Sequence, residues 1–198
     1  MLDEPLFVVS RVVSVLDALD VPYAIGGSLA SSVYGVPRST HDADLVASLG
    51  LKDVDAFVSA LRGEFYVDEG MIRDAVSRGS CFNVIHLATM FKVDVFIAGR
   101  DPWAREELGR TRAIELDVGG NKVVLDLASP EDTLLHKLVW FRLGGGVSER
   151  QWRDVLGVLE VQGTALDHGY LDLWAVTLNV SDLLERARRE VESVDPER

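Results

Sequence analysis

The chain has 198 residues, 47% of them hydrophobic, which is enough for one large domain or two small ones. A formal net charge of −12 disfavours a surface that binds nucleic acid through bulk electrostatics, although a local basic groove is compatible with that total. The single cysteine, Cys81, excludes an internal disulfide, and the N-terminal residues fit neither a secretory signal nor a membrane span. We therefore expect a cytoplasmic protein that does not cross a membrane.

The first twenty residues predict an amphipathic helix. Leu6, Val9, Val13 and Leu16 recur at helical spacing, and Pro22 follows the end of the pattern. An apolar stripe of this kind typically covers one face of a sheet. A second helical stripe follows in residues 51–65.

The segment 23–49 organises the rest of the sequence. It predicts a strand that breaks at Gly26 and Gly27, a short helix that opens at Ser28, and a second strand that carries Asp42 and Asp44. Because side chains alternate along a strand, the two aspartates face the same side of the sheet. Two like charges about 5 Å apart repel by roughly 3 kcal/mol, so a proton or a cation is expected to neutralise them.

The same segment contains the elements of a phosphate site. Backbone N–H groups at a helix start bind anions, and glycines there allow a phosphate to approach closely. Magnesium is typically held by one or two carboxylates together with substrate phosphates. The segment therefore indicates an anion site and a metal site in one strand-turn-helix-strand unit.

Two further strands are predicted in residues 80–89 and 91–98, joined near Ala88 and Thr89. In the second strand Lys92, Asp94 and Phe96 face one way. Asp94 in the middle of an apolar strand is either a buried aspartate satisfied by hydrogen bonds or a residue of a site.

The remaining sequence predicts a short helix, a hairpin and then helices alone. Gly119, Gly120 and Asn121 between two alternating segments are typical of a hairpin turn. Ser129 and Pro130 begin a helix, and about three more helices follow it. We predict an α+β domain over residues 1–128 and a helical domain over residues 129–198.

The G-G-S motif, followed after thirteen intervening residues by D-x-D with R-S-T just before the acids, resembles the nucleotidyltransferase superfamily of DNA polymerase β type. Within it, the pattern is most similar to the minimal AbiEii and MenT type toxins of toxin-antitoxin systems. The resemblance implies the nucleotidyltransferase fold, a mixed twisted sheet with flanking helices followed by a C-terminal helical bundle. It also implies transfer of a nucleotide monophosphate from an NTP such as ATP to an acceptor hydroxyl, with release of pyrophosphate.

The resemblance also implies roles for individual residues. Gly27 and Ser28 match the phosphate-binding Gly-Ser, and Asp42 and Asp44 match the metal ligands. The family carries a third carboxylate on a neighbouring strand, and we interpret Asp94 as that residue, a metal ligand that also helps to deprotonate the acceptor. Two Mg²⁺ ions would bridge these acids and the triphosphate.

Residues 129–157 carry a weaker match. Lys137 lies on a mostly apolar helix and either covers apolar surface with its stem or reaches the nucleotide phosphates. AbiEii-type proteins have a lysine at a corresponding place, and this resemblance favours the second role. The motif R-x-x-R-D-x-x-D matches Arg150, Arg153 and Asp154 and departs at Gly157, so Asp154 is a catalytic candidate or one half of a surface ion pair.

Arg38, just before the acid pair, either closes the loop or binds a phosphate with its guanidinium group.

The acceptor is left open by the sequence. A toxin-like enzyme would modify the 3′ end of tRNA and have an antitoxin partner, and the motif favours this hypothesis. The alternatives are an aminoglycoside nucleotidyltransferase, which suits the acidic charge better, a protein nucleotidyltransferase, and a catalytically silent nucleotide-binding module.

Overall fold

A computed structural model describes residues 3–99, 102–118 and 120–194 of the chain. In these residues the helices are α1 (Asp3–Ala18), α2 (Gly27–Tyr34), α3 (Val54–Leu61), α4 (Glu69–Arg78), α5 (Pro102–Gly109), α6 (Pro130–Leu143), α7 (Glu149–Gln162), α8 (His168–Thr177) and α9 (Ser181–Val194). The strands are β1 (Tyr23–Ile25), β2 (Asp42–Ala47), β3 (Phe65–Tyr66), β4 (Cys81–His86), β5 (Lys92–Ile97), β6 (Arg112–Val118) and β7 (Asn121–Leu127).

The chain divides into two compact units. The first unit is residues 1–26 with 39–128, and the second is residues 27–38 with 129–198. A single boundary after residue 128 would assign α2 to the first unit, whereas the structure places it in the second. The reason is tertiary packing, since α2 contacts α6 and α7.

The first unit is built on a mixed sheet with the strand order β3-β4-β5-β2-β1-β7-β6. The pairs β2/β5 and β1/β7 are parallel, and the other neighbours are antiparallel. On β2 and β5 the apolar residues Ala43, Leu45, Val93 and Val95 are fully buried, and they alternate with less buried polar residues. The buried side chains face the core, so the polar ones share the opposite face of the sheet.

The predicted helix at the start of the chain is confirmed as α1. Val8, Val9, Val12 and Leu16 have no exposed surface, and the helix contacts α3, β2, β6 and β7. Its amphipathic stripe therefore covers part of the first unit.

Helix α4 is an element that the hydrophobic pattern did not reveal. Only Ile72 and Ala75 of its residues are buried, so its apolar stripe is short. Its ends carry the local signals instead: the Asp68 side chain accepts a hydrogen bond from the Met71 N–H, and Gly79 adopts the left-handed conformation at the C-terminus.

The predicted hairpin corresponds to β6 and β7. Their register pairs Arg112 with Leu127 and Glu115 with Val124. Of the predicted turn, Gly119 lies outside the described residues, and Gly120 has a φ of 85° that suits a glycine.

The second unit is helical, as the sequence predicted after residue 128. The Ser129 hydroxyl caps α6 by accepting from the Asp132 N–H, and the side chains of Ser148 and Asp167 cap α7 and α8 in the same way. Helix α7 contacts α6 and α9, and α8 contacts α6 and α9.

Among the described residues, no helix combines the length and the apolar character that a membrane-spanning segment needs.

Candidate active site

Three aspartates lie side by side on the sheet of the first unit. Asp42 and Asp44 are two residues apart on β2, and the parallel register pairs Asp44 directly with Asp94 of β5. Paired residues on neighbouring strands point to the same face. The polar face of β2 and β5 therefore carries Asp42, Asp44 and Asp94 together, all of them partly exposed.

Neighbouring polar residues surround these acids. The Thr40 hydroxyl lies 3.1 Å from Oδ1 of Asp42 and donates to its backbone carbonyl at 2.8 Å. Asn83 on β4 pairs with Asp94 in the antiparallel register, so its side chain is on the same face. The carboxylates thus lie in a polar strip across three strands.

Lys92 completes this arrangement. It pairs with Asp42 in the strand register and forms an ion pair with Oδ2 of Asp94 at 2.6 Å. The hydrogen bond to Asp94 raises the pKa of Lys92, and the charges of Asp94, Asp42 and Asp44 raise it further against the opposing effect of burial. The carboxylates therefore create a negative field that already attracts one cation.

Carboxylate oxygens on one face are the donors that Mg²⁺ prefers, so the chemistry of Asp42, Asp44 and Asp94 fits a hard divalent cation. As the side chains are arranged, however, no group of three His, Cys, Asp or Glu residues in the described part of the chain is close enough to hold a metal ion. Nζ of Lys92 lies 2.6 Å from Oδ2 of Asp94, an oxygen that such a cation would use.

The predicted phosphate-binding residues begin α2, in the second unit. Gly27 has a φ of 58°, a conformation that favours glycine, and Ser28 is buried directly after it. The Ser28 hydroxyl accepts a hydrogen bond from Nη2 of Arg38 at 2.6 Å, and its carbonyl accepts one from the Ser31 hydroxyl at 3.2 Å. Arg38 therefore holds the start of α2 through its hydrogen bond to Ser28.

Arg38, Lys137 and Asp154 form a charged cluster in the second unit. Nε and Nη2 of Arg38 each donate to one oxygen of Asp154 at 2.8 Å, and Nζ of Lys137 donates to Oδ2 at 2.7 Å. The Lys137 and Asp154 side chains are each 6% exposed, and Arg38 is 24% exposed. A single carboxylate thus holds two cations side by side.

The pKa of Asp154 reflects these contacts. Burial alone would raise it, but the hydrogen bonds and charges of Arg38 and Lys137 outweigh burial and hold the pKa below its ordinary value. Asp154 is therefore ionised at neutral pH and orients both cations. In this geometry Asp154 positions Arg38 and Lys137. A catalytic role for Asp154 stays a prediction.

Gly157, where the sequence departs from the R-x-x-R-D-x-x-D motif, has a packing role. A Cβ on Gly35 would lie 2.9 Å from the backbone of Gly157 and Val158, and a Cβ on Gly157 would lie 3.3 Å from Val36. The loop after α2 thus runs directly against the backbone of α7, and a Cβ at Gly35 would force one of these two backbones to shift.

The sequence placed Arg150 and Arg153 with Asp154 at i, i+3 and i+4 on one helix, which is α7, and of the three only Asp154 is buried. Arg150 and Arg153 are exposed, and Arg153 pairs with Glu149 at 3.1 Å. Sequence reasoning also missed Lys92 as a partner of the acids, although its i, i+2 spacing from Asp94 was a usable signal.

Similar folds occur among solved structures. The solution structure of the antibiotic-resistance factor ANT(2'')-Ia matches with a TM-score of 0.56 at 14% identity, over 96% of this chain and 100% of that one. The crystal structure of ANT(2'')-Ia in complex with adenylyl-2''-tobramycin matches with a TM-score of 0.56 at 13% identity, over 89% and 97%. An antigenic nucleotidyltransferase-like protein from Paracoccidioides brasiliensis matches with a TM-score of 0.50 at 18% identity, over 91% and 90%.

No model of a protein family matches the chain, and no curated protein sequence is similar to it. At these identities the structural matches show the fold alone. The chain therefore has the nucleotidyltransferase fold that its motifs predicted, and its similarity to AbiEii and MenT type toxins stays a prediction.

Proposed function

We propose that the protein is a metal-dependent nucleotidyltransferase that transfers a nucleotide monophosphate from an NTP to an acceptor hydroxyl. The observation that carries this proposal is the strand register that places Asp94 beside Asp44 and on the same face as Asp42. Three carboxylates this close together repel one another, and bound cations would offset that repulsion.

In this proposal Asp42, Asp44 and Asp94 hold Mg²⁺, with two ions expected. When bound, Mg²⁺ supplies charge neutralisation at the triphosphate and acidifies the acceptor hydroxyl. The acceptor oxygen forms a bond to the α-phosphorus while the bond from that phosphorus to the bridging oxygen breaks, and pyrophosphate leaves. Asp94 takes the proton of the acceptor hydroxyl.

Phosphate binding in the same proposal rests on the match of Gly27 and Ser28 to the phosphate-binding Gly-Ser of the superfamily that the sequence resembles. Gly27 and Ser28 would bind phosphate oxygens through backbone N–H groups at the start of α2. Arg38 and Lys137 would supply positive charge to the triphosphate, and Asp154 would keep both cations in position.

We propose a small polycationic acceptor of the aminoglycoside class as the first candidate. The net charge of −12 favours such an acceptor over a polyanion. ANT(2'')-Ia, which has the same fold, was solved in complex with adenylyl-2''-tobramycin, so tobramycin is a suitable first acceptor to test.

A second candidate is addition of nucleotides to tRNA by a toxin that has an antitoxin partner. The observation that favours it is the motif G-G-S followed by D-x-D at the spacing of the AbiEii and MenT type toxins. A protein acceptor is a third outcome of the same assay.

The test is incubation of the purified protein with each NTP, labelled at the α-phosphate, in the presence of Mg²⁺ and a panel of tobramycin, tRNA and cell proteins. We expect label in the tobramycin fraction, its loss in Asp44→Asn, and its retention in the control variant Asp117→Asn, which changes an exposed strand aspartate. Label in tRNA would support the second candidate, and no label in any fraction with any NTP would favour the silent module.

A further inference from the structure

The polar face of β2 and β5 carries four charged residues at the corners of one small patch. Asp42 pairs with Lys92, and Asp44 pairs with Asp94. Neighbouring strands are about 4.8 Å apart, and residues i and i+2 are about 6.7 Å apart along a strand. Three corners are carboxylates and the fourth is an ammonium group.

Lys92 differs from an ordinary surface ion pair on a strand. Lys122 and Glu115 form such a pair at 2.6 Å, with side chains that are 74% and 55% exposed. Lys92 and Asp94 are also 2.6 Å apart, but their side chains are 41% and 21% exposed, and Asp42 lies directly across from Lys92. The ammonium of Lys92 therefore neutralises a group of acids and not a single partner.

The ammonium also holds an oxygen that the proposed metal would use. Its contact is to Oδ2 of Asp94, the carboxylate that lies beside Asp44. A cation bound by Asp44 and Asp94 would carry the same sign of charge as Lys92 within a few ångströms, so the two would repel.

We propose that Lys92 is a tethered counter-ion that competes with the divalent cation for Asp94. It neutralises the acids while the metal is absent, and it must leave Asp94 when the metal binds. The partly exposed lysine stem allows the ammonium to turn into solvent. This inference rests on the proposed function, because it requires the acids to be metal ligands.

The test is a titration of the full chain with Mn²⁺ alone. Electron paramagnetic resonance measures the concentration of unbound Mn²⁺ and so gives the affinity. The variants are Lys92→Met, Lys92→Gln in case the first does not fold, and Lys122→Met as a matched control that removes a strand lysine with an equally short but exposed ion pair. Asp44→Asn reports whether Mn²⁺ binds at the acids. Thermal unfolding with and without Mn²⁺ gives a second readout.

We expect Lys92→Met and Lys92→Gln to bind Mn²⁺ at least about tenfold more tightly than the native chain, because one positive charge close to the ion is removed. Mn²⁺ should also raise their melting temperature more than that of the native chain, and Lys122→Met should behave like the native chain. Native affinity in the Lys92 variants, with binding lost in Asp44→Asn, would overturn this inference alone. Mn²⁺ binding that is unchanged in Asp44→Asn would overturn the proposed metal site as well.

Discussion

At the scale of single residues, both charged clusters pair acids with cations at short range. Asp94 holds Lys92 in the first unit, and Asp154 holds Arg38 and Lys137 in the second. Exposed ion pairs contribute little to stability, whereas removal of one partner from a buried pair leaves an uncompensated charge. The two clusters should therefore respond differently to substitution.

Asp154→Asn is expected to lower the free energy of unfolding by roughly 3 kcal/mol, because it removes the carboxylate that the buried Lys137 ammonium contacts. Urea denaturation at neutral pH measures the change. Replacing both partners, in Lys137→Met with Asp154→Asn, should restore part of the loss. If Asp154→Asn alone were as stable as the native chain, Asp154 would not be compensating the buried charge of Lys137.

The contribution of Asp154 should depend on pH in a defined direction. Because its pKa is lowered in the folded chain, the stabilisation is fully present above the ordinary carboxylate pKa of about 3.9 and is lost as the pH falls through the lower folded value. The difference in stability between the native chain and Asp154→Asn should thus be constant from neutral pH to about pH 5 and shrink below about pH 4. A stability difference that does not shrink below about pH 4 would contradict a lowered pKa of Asp154 as its cause.

At this scale the sequence predicted the shared face of Asp42 and Asp44, because strand alternation determines it locally, whereas Asp94 was expected beside them from the resemblance, since its position depends on how β5 pairs with β2. The bidentate contact of Arg38 with Asp154 could not be predicted, since it joins residues 116 positions apart. Such a contact depends on how helices pack and not on local spacing.

At the scale of elements, the close approach of the loop after α2 to α7 depends on glycine. A Cβ at Gly35 would lie 2.9 Å from the backbone atoms of Gly157 and Val158, and a backbone cannot move aside as a side chain can. This contact lies beside the segment that carries Arg38.

Gly35→Ala should therefore destabilise the protein by about 1 to 3 kcal/mol, as overpacking does in a close-packed interior. Gly26→Ala is the matched control, because a Cβ there would meet no atom within 4 Å. Urea denaturation of both variants measures the difference. Equal stability of the two variants would show that the loop can move away from α7 without cost.

Most elements were predictable because their signals are local. Ser129 begins a helix as expected, and Ser129 and Ser148 each cap their helix through the hydroxyl. Helix α4 was missed because it buries few apolar side chains, although Asp68 and Gly79 mark its ends.

At the scale of the whole molecule, the net charge of −12 bears on the acceptor. A polyanion would be repelled and a polycation attracted over distances up to the screening length, about 10 Å at 0.1 M salt.

The fold class was predictable from the motif, whereas the inclusion of residues 27–38 in the second unit was not, because it depends on tertiary packing.

We expect the protein to bind tobramycin more tightly than tRNA, and raising the salt concentration from about 0.05 M to about 0.2 M should weaken tobramycin binding several-fold. Calorimetry for tobramycin and a gel-shift assay for tRNA measure the two affinities, with an uncharged trisaccharide as the control ligand. Tighter binding of tRNA would instead support the toxin-like candidate.

The most direct measurement is calorimetry of NTP binding with and without Mg²⁺, on the native chain and on Asp42→Ala. We predict binding that requires Mg²⁺ and is lost in Asp42→Ala, while Asp117→Asn binds as the native chain does. NTP binding that is indifferent both to Mg²⁺ and to the loss of Asp42 would contradict a catalytic metal site on β2 and β5.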